Sequence, residues 1–443
     1  MLRESVRGDR MALLIRLSLD RSTMEGRRSM AQFLTVKSPE EVLEIIQGFP
    51  PLEAEEVPLE EASGRVLAEP LAAPEPIPSF PRAVMDGFAV RARDTFGASE
   101  SLPGFLEIGG EVVMGRAAEA EVKPGTAVAI PTGGMLPPGA DAVVMVEHTQ
   151  WVDEKAIEVN RAVAPGENLL QEGEDIPRGG EALPAGHLIR PQDVGVPAAL
   201  GIPSVLVHRR PKVAILSTGD EIVPVTTRPL PPGKIRDINA YTLAAQTKRA
   251  GGLPSPGLLI QDDLESLTRA CRQALEEHDV VLLSGGSSVG ARDYTARILE
   301  GLPGSRMLVQ GVAIRPGKPT ILGRVGGKGF WGLPGHPASA LMVFTAFVRP
   351  FLMRLQGRRK MPQVEENRRR AVLARNLPSV SGREDYFPVV LTLEEKTLKA
   401  TPLFGKSAMI SLLARAHGYV VIPARVEGLD EGTEVEVRLF SGG

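Results

Sequence analysis

Four Gly- and Pro-rich loops, each following an apolar run of strand length, constrain this chain most. From residue 211 such runs alternate with helical patterns. The reading is strand 212–216, helix 239–250 ended by Gly251 and Gly252, a strand near 256–260, helix 263–277, strand 279–283, helix 293–300, a strand near 307–314, a hairpin at 320–333 and helix 338–355. This alternation predicts a mostly parallel sheet with helices on both faces. The loops are STGDE (217–221), SGGSSVGARD (284–293), RPGKP (315–319) and PGHPAS (334–339).

Open α/β sheets bind ligands beyond the carboxyl ends of their strands. A Gly-rich turn entering a helix leaves backbone N–H groups free for an anion. Arg315 and Lys318 add cationic donors, and Asp220, Glu221 and Asp293 offer hard oxygens for a divalent cation such as Mg²⁺. Each loop alone reads as a turn; four on one sheet edge predict a site for phosphate or a similar oxyanion. No GxGxxG follows a strand, and GKS at 405–407 lacks the upstream glycine of a Walker A loop, which disfavours a dinucleotide dehydrogenase or a P-loop ATPase. None of the six histidines has zinc-site spacing. His336 reads equally as a ligand-loop residue or a surface histidine.

The rest of the chain differs in texture. A Ser-Pro-Glu-Glu sequence at 38–41 marks a helix start over 38–47. Residues 50–205 are rich in Pro and Gly with short β-type runs, and 371–440 reads as a small β-barrel-like domain. The basic stretch 357–370 reads as a linker. At 443 residues, two to four domains are expected. The boundaries drawn are 1–30 as a disordered or misassigned extension with Met30 as initiator, 31–70 with 171–205 as a linker or body domain, 71–170 as an inserted β-rich domain, 206–356 as the α/β domain and 357–443 as the C-terminal β domain.

A net charge of −3 without a long basic block gives nucleic acid no electrostatic footprint, and no apolar run reads as a membrane span. Residues 1–30 lack the pattern of a secretory signal, so a soluble cytoplasmic protein is expected. The single cysteine, Cys271, excludes an internal disulfide and reads as a buried thiol on a helix.

Taken in order, FPRAVMDGFAV, IPTGGMLPPGADAVVMVE, GENLLQEGEDI, VAILSTGDEI, IRDIN, VVLLSGGSSVGARDYT, VAIRPGKPTILG and GLPGHPASA resemble the molybdopterin molybdenumtransferase family, bacterial MoeA and the E domain of gephyrin, over roughly residues 33–440. The resemblance implies a four-domain homodimer that inserts molybdate into adenylylated molybdopterin with Mg²⁺-assisted release of AMP, and transient contact with the molybdopterin adenylyltransferase. It implies an essential carboxylate at Asp86, supported by Thr132 and Asp175, in a cleft between the N-terminal β-rich part and the α/β domain. Asp220, Glu221 and Asp293 are implied as metal-site carboxylates, Glu221 and Asp293 also as catalytic. Ser217, Gly219, Gly285, Gly286 and Ser288 are implied around the pterin phosphate. Arg315 and Lys318 would attract molybdate or phosphate, and Pro334 and Pro337 would shape their loop.

The chain departs from the family pattern at Ala83 and Val84 before Met-Asp-Gly, at Phe88 for Tyr, at Ala129 and Pro131 before the Thr-Gly turn, and at His336 for Asn. Alternatives left open are a tungstate-specific insertase, a cofactor carrier or scaffold without turnover, and adenylyl transfer, which the long N-terminal half disfavours.

Overall fold

The computed structural model describes residues 36–285, 289–359 and 368–440; the side chains of 289–293 are not among them. The expectations for residues 1–29 therefore lie outside the described residues. The chain forms two compact units: Pro51–Arg209 with Gln356–Lys360, and a second made of the segment ending at Pro50, Arg210–Leu355 and the C-terminal segment to Gly443.

In the second unit a seven-stranded sheet carries the expected parallel core. Lys212–Thr218 pairs in parallel with Leu253–Pro254, Leu258–Ile260 and Val280–Gly285, and Val280–Gly285 with Lys328–Leu333. Ile321–Val325 and then Ser305–Gln310 complete it antiparallel. Because strand side chains alternate faces, Ala214, Leu216, Val281 and Leu283 pack with Leu267, Cys271 and Leu275 of the helix Leu264–Glu277 and Ile298 and Leu299 of the helix Val289–Glu300. The alternate residues Val213, Ile215, Val280 and Leu282 are fully buried as well. A strand buried on both faces is continuously apolar and can be polar only at its ends. Cys271 is buried as read, and desolvation pushes its thiol up to about 12.

The helical stretch Pro337–Leu355 contains a wider π turn, Phe344–Val348, just before Pro350, whose ring nitrogen cannot donate a helical hydrogen bond. Its 19 residues have the length and apolarity of a membrane span, which the sequence reading did not register; 72% of its most apolar window is buried inside the protein. Before Pro39–Gln47, Ser38 and Glu41 form a reciprocal capping box, Glu41 N–H donating to Ser38 Oγ at 3.2 Å and Ser38 N–H to Glu41 Oε2 at 2.7 Å.

Two readings are corrected. The strand placed near 307–314 stops at Gln310; Ile314–Arg315 instead pairs in parallel with Glu384–Asp385 of the C-terminal domain. Arg368–Arg370 are not linker. They open the strand Arg368–Leu373, where cross-strand acids pair them, Arg368 with Glu436 at 2.6 Å and Arg370 with Glu434 at 3.6 Å. That strand belongs to a closed five-stranded barrel running Glu384–Glu394, Thr397–Pro402, Arg368–Leu373, Glu434–Leu439, Gly418–Ile422 and back to Glu384–Glu394. Ala371, Leu373, Val389, Ala400, Val420 and Val437 fill it.

In the other unit, a six-stranded sheet runs Ala142–Met145, Gly87–Val90, Thr126–Ile130, Gly104–Glu111, Ala156–Val159, Thr149–Trp151. Phe88, Val90 and Val144 pack on one face, and Ala89, Val128 and Val143 on the other. Ala54–Pro58 pairs antiparallel with Ser204–His208, joining the two ends of the segment. Nearby Asp193 is buried, accepting from Arg190 Nε at 2.9 Å, Arg190 Nη2 at 2.8 Å and Arg190 N–H at 2.8 Å, with His187 Nε2 at 2.7 Å.

These partners, Arg190 first, hold the Asp193 carboxyl well below the usual range. A carboxyl depressed on folding stabilises fully above its unfolded value of about 3.9, and that stabilisation is lost as pH falls below it. Asp193→Ala should cost roughly 2 kcal/mol at neutral pH, discounted for the half-exposed Arg190. The deficit in thermal midpoint against the parent should shrink in acid; an equal deficit at pH 3 and pH 7 would contradict it.

Candidate functional site

The carboxyl edge of the parallel strands begins at Ser217 and Ser284, in register with each other and each 1% exposed. One residue on, Gly285 stands opposite Thr218 at φ 154°, and a Cβ there would lie 2.2 Å from the Thr218 carbonyl oxygen. Only glycine permits that approach. Gly286 and Ser288 lie outside the described residues, as does the side chain of Asp293.

Asn239 ties two of the loops together. Its Nδ2 donates to Ser284 Oγ at 2.7 Å and to the Gly335 carbonyl at 2.9 Å. Asn239 Oδ1 and Ser217 Oγ are both buried without a partner among the described residues. A buried polar atom left unsatisfied costs about 1–3 kcal/mol, so this edge suits a polar ligand or water. Asp237 accepts Ala240 N–H at 3.1 Å and orients the helix Asn239–Arg249.

Asp220 and Glu221 are exposed, and their loop is fixed by Lys234 Nζ donating to the Asp220 carbonyl at 2.6 Å and by Ile222–Val223 pairing with Ile235–Arg236. Gly219 has φ 148°, and a Cβ on it would meet Glu221 Oε2 at 2.8 Å. Among the described residues no group of three His, Cys, Asp or Glu could hold a metal. Asp220 and Glu221 remain two hard-oxygen donors on one loop, which suits Mg²⁺ with retained water.

The RPGKP loop meets the barrel. Asp385, 1% exposed, receives Arg383 Nε at 2.9 Å on Oδ1 and Arg315 Nη1 at 3.5 Å on Oδ2. Around this seam lies a cavity of about 690 Å³, cationic where Arg315, Lys318, Arg383 and Lys406 line it and apolar at Met342 and Phe404. A smaller cavity of about 190 Å³ lies at Gly285, Thr295 and Pro334. Pro319, His336 and Ser339 line both. Pro337 begins the helix Pro337–Val343. Gly317, at φ 123°, could not carry a side chain, since a Cβ would come within 2.6 Å of Val343 Cγ2.

Asp86, Thr132 and Asp175 belong to the other unit. Asp86 is exposed in the turn before Gly87–Val90, and its Oδ1 accepts Thr132 N–H at 2.6 Å and Thr132 Oγ1–H at 2.8 Å. These bonds, the backbone one first, hold its carboxyl below the usual range. Gly87 is sterically required, because a Cβ would fall 2.0 Å from the Val144 carbonyl oxygen. Asp175 is exposed, with its N–H on the Ile77 carbonyl at 3.1 Å.

The structure thus groups Ser217, Gly285 and Pro334 at the sheet edge and Arg315 with Lys318 at the cationic seam. Sequence reasoning missed Asn239, Arg383, Asp385, Lys406 and Ser407. The GKS turn, which is no Walker loop, lines the larger cavity.

Residues 37–201 match the MoeA N-terminal region (domain I and II), 214–354 the family described as "Probable molybdopterin binding domain" and 370–440 the MoeA C-terminal region (domain IV). The chain belongs to the MoeA family. It is 34% identical to the molybdopterin molybdenumtransferase of Bacillus subtilis, covering 88% of this chain and 90% of that protein. It is 35% identical to molybdopterin molybdenumtransferase 2 of Mycobacterium tuberculosis, covering 86% and 94% respectively. The crystal structure of the molybdopterin biosynthesis MoeA protein from Pyrococcus horikoshii superposes with a TM-score of 0.74 at 39% identity, covering 92% of this chain and all of that one.

Gly285→Ala should force the two central strands apart at this edge. The expected loss is on the order of 2 kcal/mol or more, read as a lower midpoint in denaturant unfolding; an unchanged midpoint would show that the strands yield freely.

Proposed function

We propose that this MoeA-family chain is a molybdopterin molybdenumtransferase that inserts molybdate into adenylylated molybdopterin and releases AMP. The observation that carries the reading is the adjacency, within one compact unit, of a sheet-edge cavity at Gly285 and a cationic cavity at Arg315, Lys318, Arg383 and Lys406. Two anionic reactants have to be brought together, and each needs its own donors. Beside that sheet edge the orphaned Ser217 hydroxyl can donate to a phosphate oxygen, and the orphaned Asn239 Oδ1 can accept from a ligand N–H or a water. The cationic cavity offers guanidinium and ammonium groups to a tetrahedral oxyanion.

Asp385 neutralises part of that charge and fixes both arginines, so that molybdate is held by preset donors. Asp86, whose carboxylate Thr132 fixes and holds below its usual range, is proposed as an essential carboxylate of the reaction. Mg²⁺, held by Asp220, Glu221 and Asp293, would supply neutralisation of phosphoanhydride charge. The proposal includes a cytoplasmic homodimer and transient contact with the molybdopterin adenylyltransferase that furnishes the substrate.

Full-length protein with adenylyl-molybdopterin, molybdate and Mg²⁺ should release AMP. Asp86→Asn and Asp293→Asn should each lower the rate about 10²-fold or more. Arg383→Ala should mainly raise the molybdate concentration for half-maximal rate, by roughly tenfold. Absence of AMP from the unaltered protein would overturn the assignment, and tight molybdopterin binding without turnover would make it a carrier. The same assay with tungstate decides which oxyanion is preferred.

A further inference from the structure

His336 occupies the boundary between the two cavities and lines both. Its Nδ1 lies 2.8 Å from Ser407 Oγ, contributed by the loop after the barrel strand Thr397–Pro402. That loop is clamped a second time, Ala338 N–H donating to the Ser407 carbonyl at 3.1 Å. The ring is therefore held from the barrel side, and Nε2 has no partner among the described residues.

Resting on the oxyanion reading of the larger cavity, we infer that His336 is a proton-linked ligand of the oxyanion, contributing an Nε2–H donor and a positive charge when the anion binds. An oxyanion presents only acceptors. The Ser407 hydroxyl can donate to Nδ1 or accept from it, so it tolerates the neutral and the protonated ring alike. Protonation makes both ring nitrogens donors, one toward Ser407 and one toward the anion, and a charge-assisted bond is roughly twice as strong as a neutral one. The family's usual Asn could donate a hydrogen bond at this place but carries no titratable charge.

Among the described residues, the other charged or titratable groups lining this cavity are Arg315 and Lys318 on the RPGKP loop, Arg383 just before the barrel strand, Asp385 and Tyr386 on it, and Lys406 beside Ser407. Residues of these types change charge outside the interval from about pH 6 to 8, whereas imidazole changes charge within it. The sign follows: a bound oxyanion favours the protonated ring, so affinity is gained as pH falls and lost as it rises.

Molybdate alone is the probe, titrated calorimetrically into the full-length protein across about pH 6 to 8 in non-phosphate buffers of differing ionisation enthalpy. The unaltered protein should take up a fraction of one proton per molybdate near pH 7, and its affinity should fall by about tenfold from about pH 6 to pH 8. His336→Asn should abolish the proton uptake and flatten the profile; His336→Gln gives the same readout if the first variant fails to fold. The same proton uptake and slope in a folded variant overturns the inference about His336 alone. Failure of the unaltered protein to take up molybdate at any of these pH values overturns the oxyanion reading of the cavity, and this inference with it.

Discussion

The close approach of Val280–Gly285 to Lys212–Thr218 governs the carboxyl edge of this protein. With no Cβ at Gly285, the last residue of its strand lies against the Thr218 carbonyl. The last buried pair, Ser217 and Ser284, is then the point where an apolar strand interior gives way to polar groups. Asn239 spans from Ser284 to the Gly335 carbonyl, so two loops far apart in sequence share one anchor. The polar positions are few because both faces of the sheet are covered. Chemistry is confined to the strand ends by the same burial that stabilises the sheet.

A second constraint is the buried Asp385 carboxylate. Burying such a charge costs several kcal/mol unless it is paired, and its partners Arg383 and Arg315 come from the C-terminal domain and from the connection between the sheet strands Ser305–Gln310 and Ile321–Val325. The short pairing of Ile314–Arg315 with Glu384–Asp385 sets this register. The barrel is thereby an architectural part of the cationic cavity, supplying Arg383, Lys406 and Ser407.

Much of the parallel sheet was legible because strand and helix patterns alternate and the turns between them are rich in glycine. The four-loop reading singled out Gly285 and Pro334, which line the smaller cavity, and Arg315 and Lys318, which line the larger one. The strand near 307–314 was misread because Val312 and Ile314 continue an apolar pattern, while the backbone at Ile314–Arg315 bonds to the barrel, a long-range choice absent from local sequence. Arg368–Arg370 were misread for a similar reason: a basic run looks solvated until Glu434 and Glu436 stand opposite it. Arg383, Lys406 and Ser407 carry no motif that announces which rim of a barrel will face a sheet domain.

The departures from the family pattern separate by location. Ala83 and Phe88 are buried, and Phe88 meets Trp151 edge-to-face at 5.6 Å, so the missing tyrosine hydroxyl is a matter of packing within one unit. Val84 is exposed beside the Asp86 turn, but the Asp86 carboxylate is fixed by Thr132, not by its sequence neighbours. His336 lines both cavities described above, where the sheet edge and the cationic seam adjoin. An amide there would leave the local charge independent of pH, whereas an imidazole makes it variable. On the proposed oxyanion role of this cavity, the substitution bears on how the anion is held.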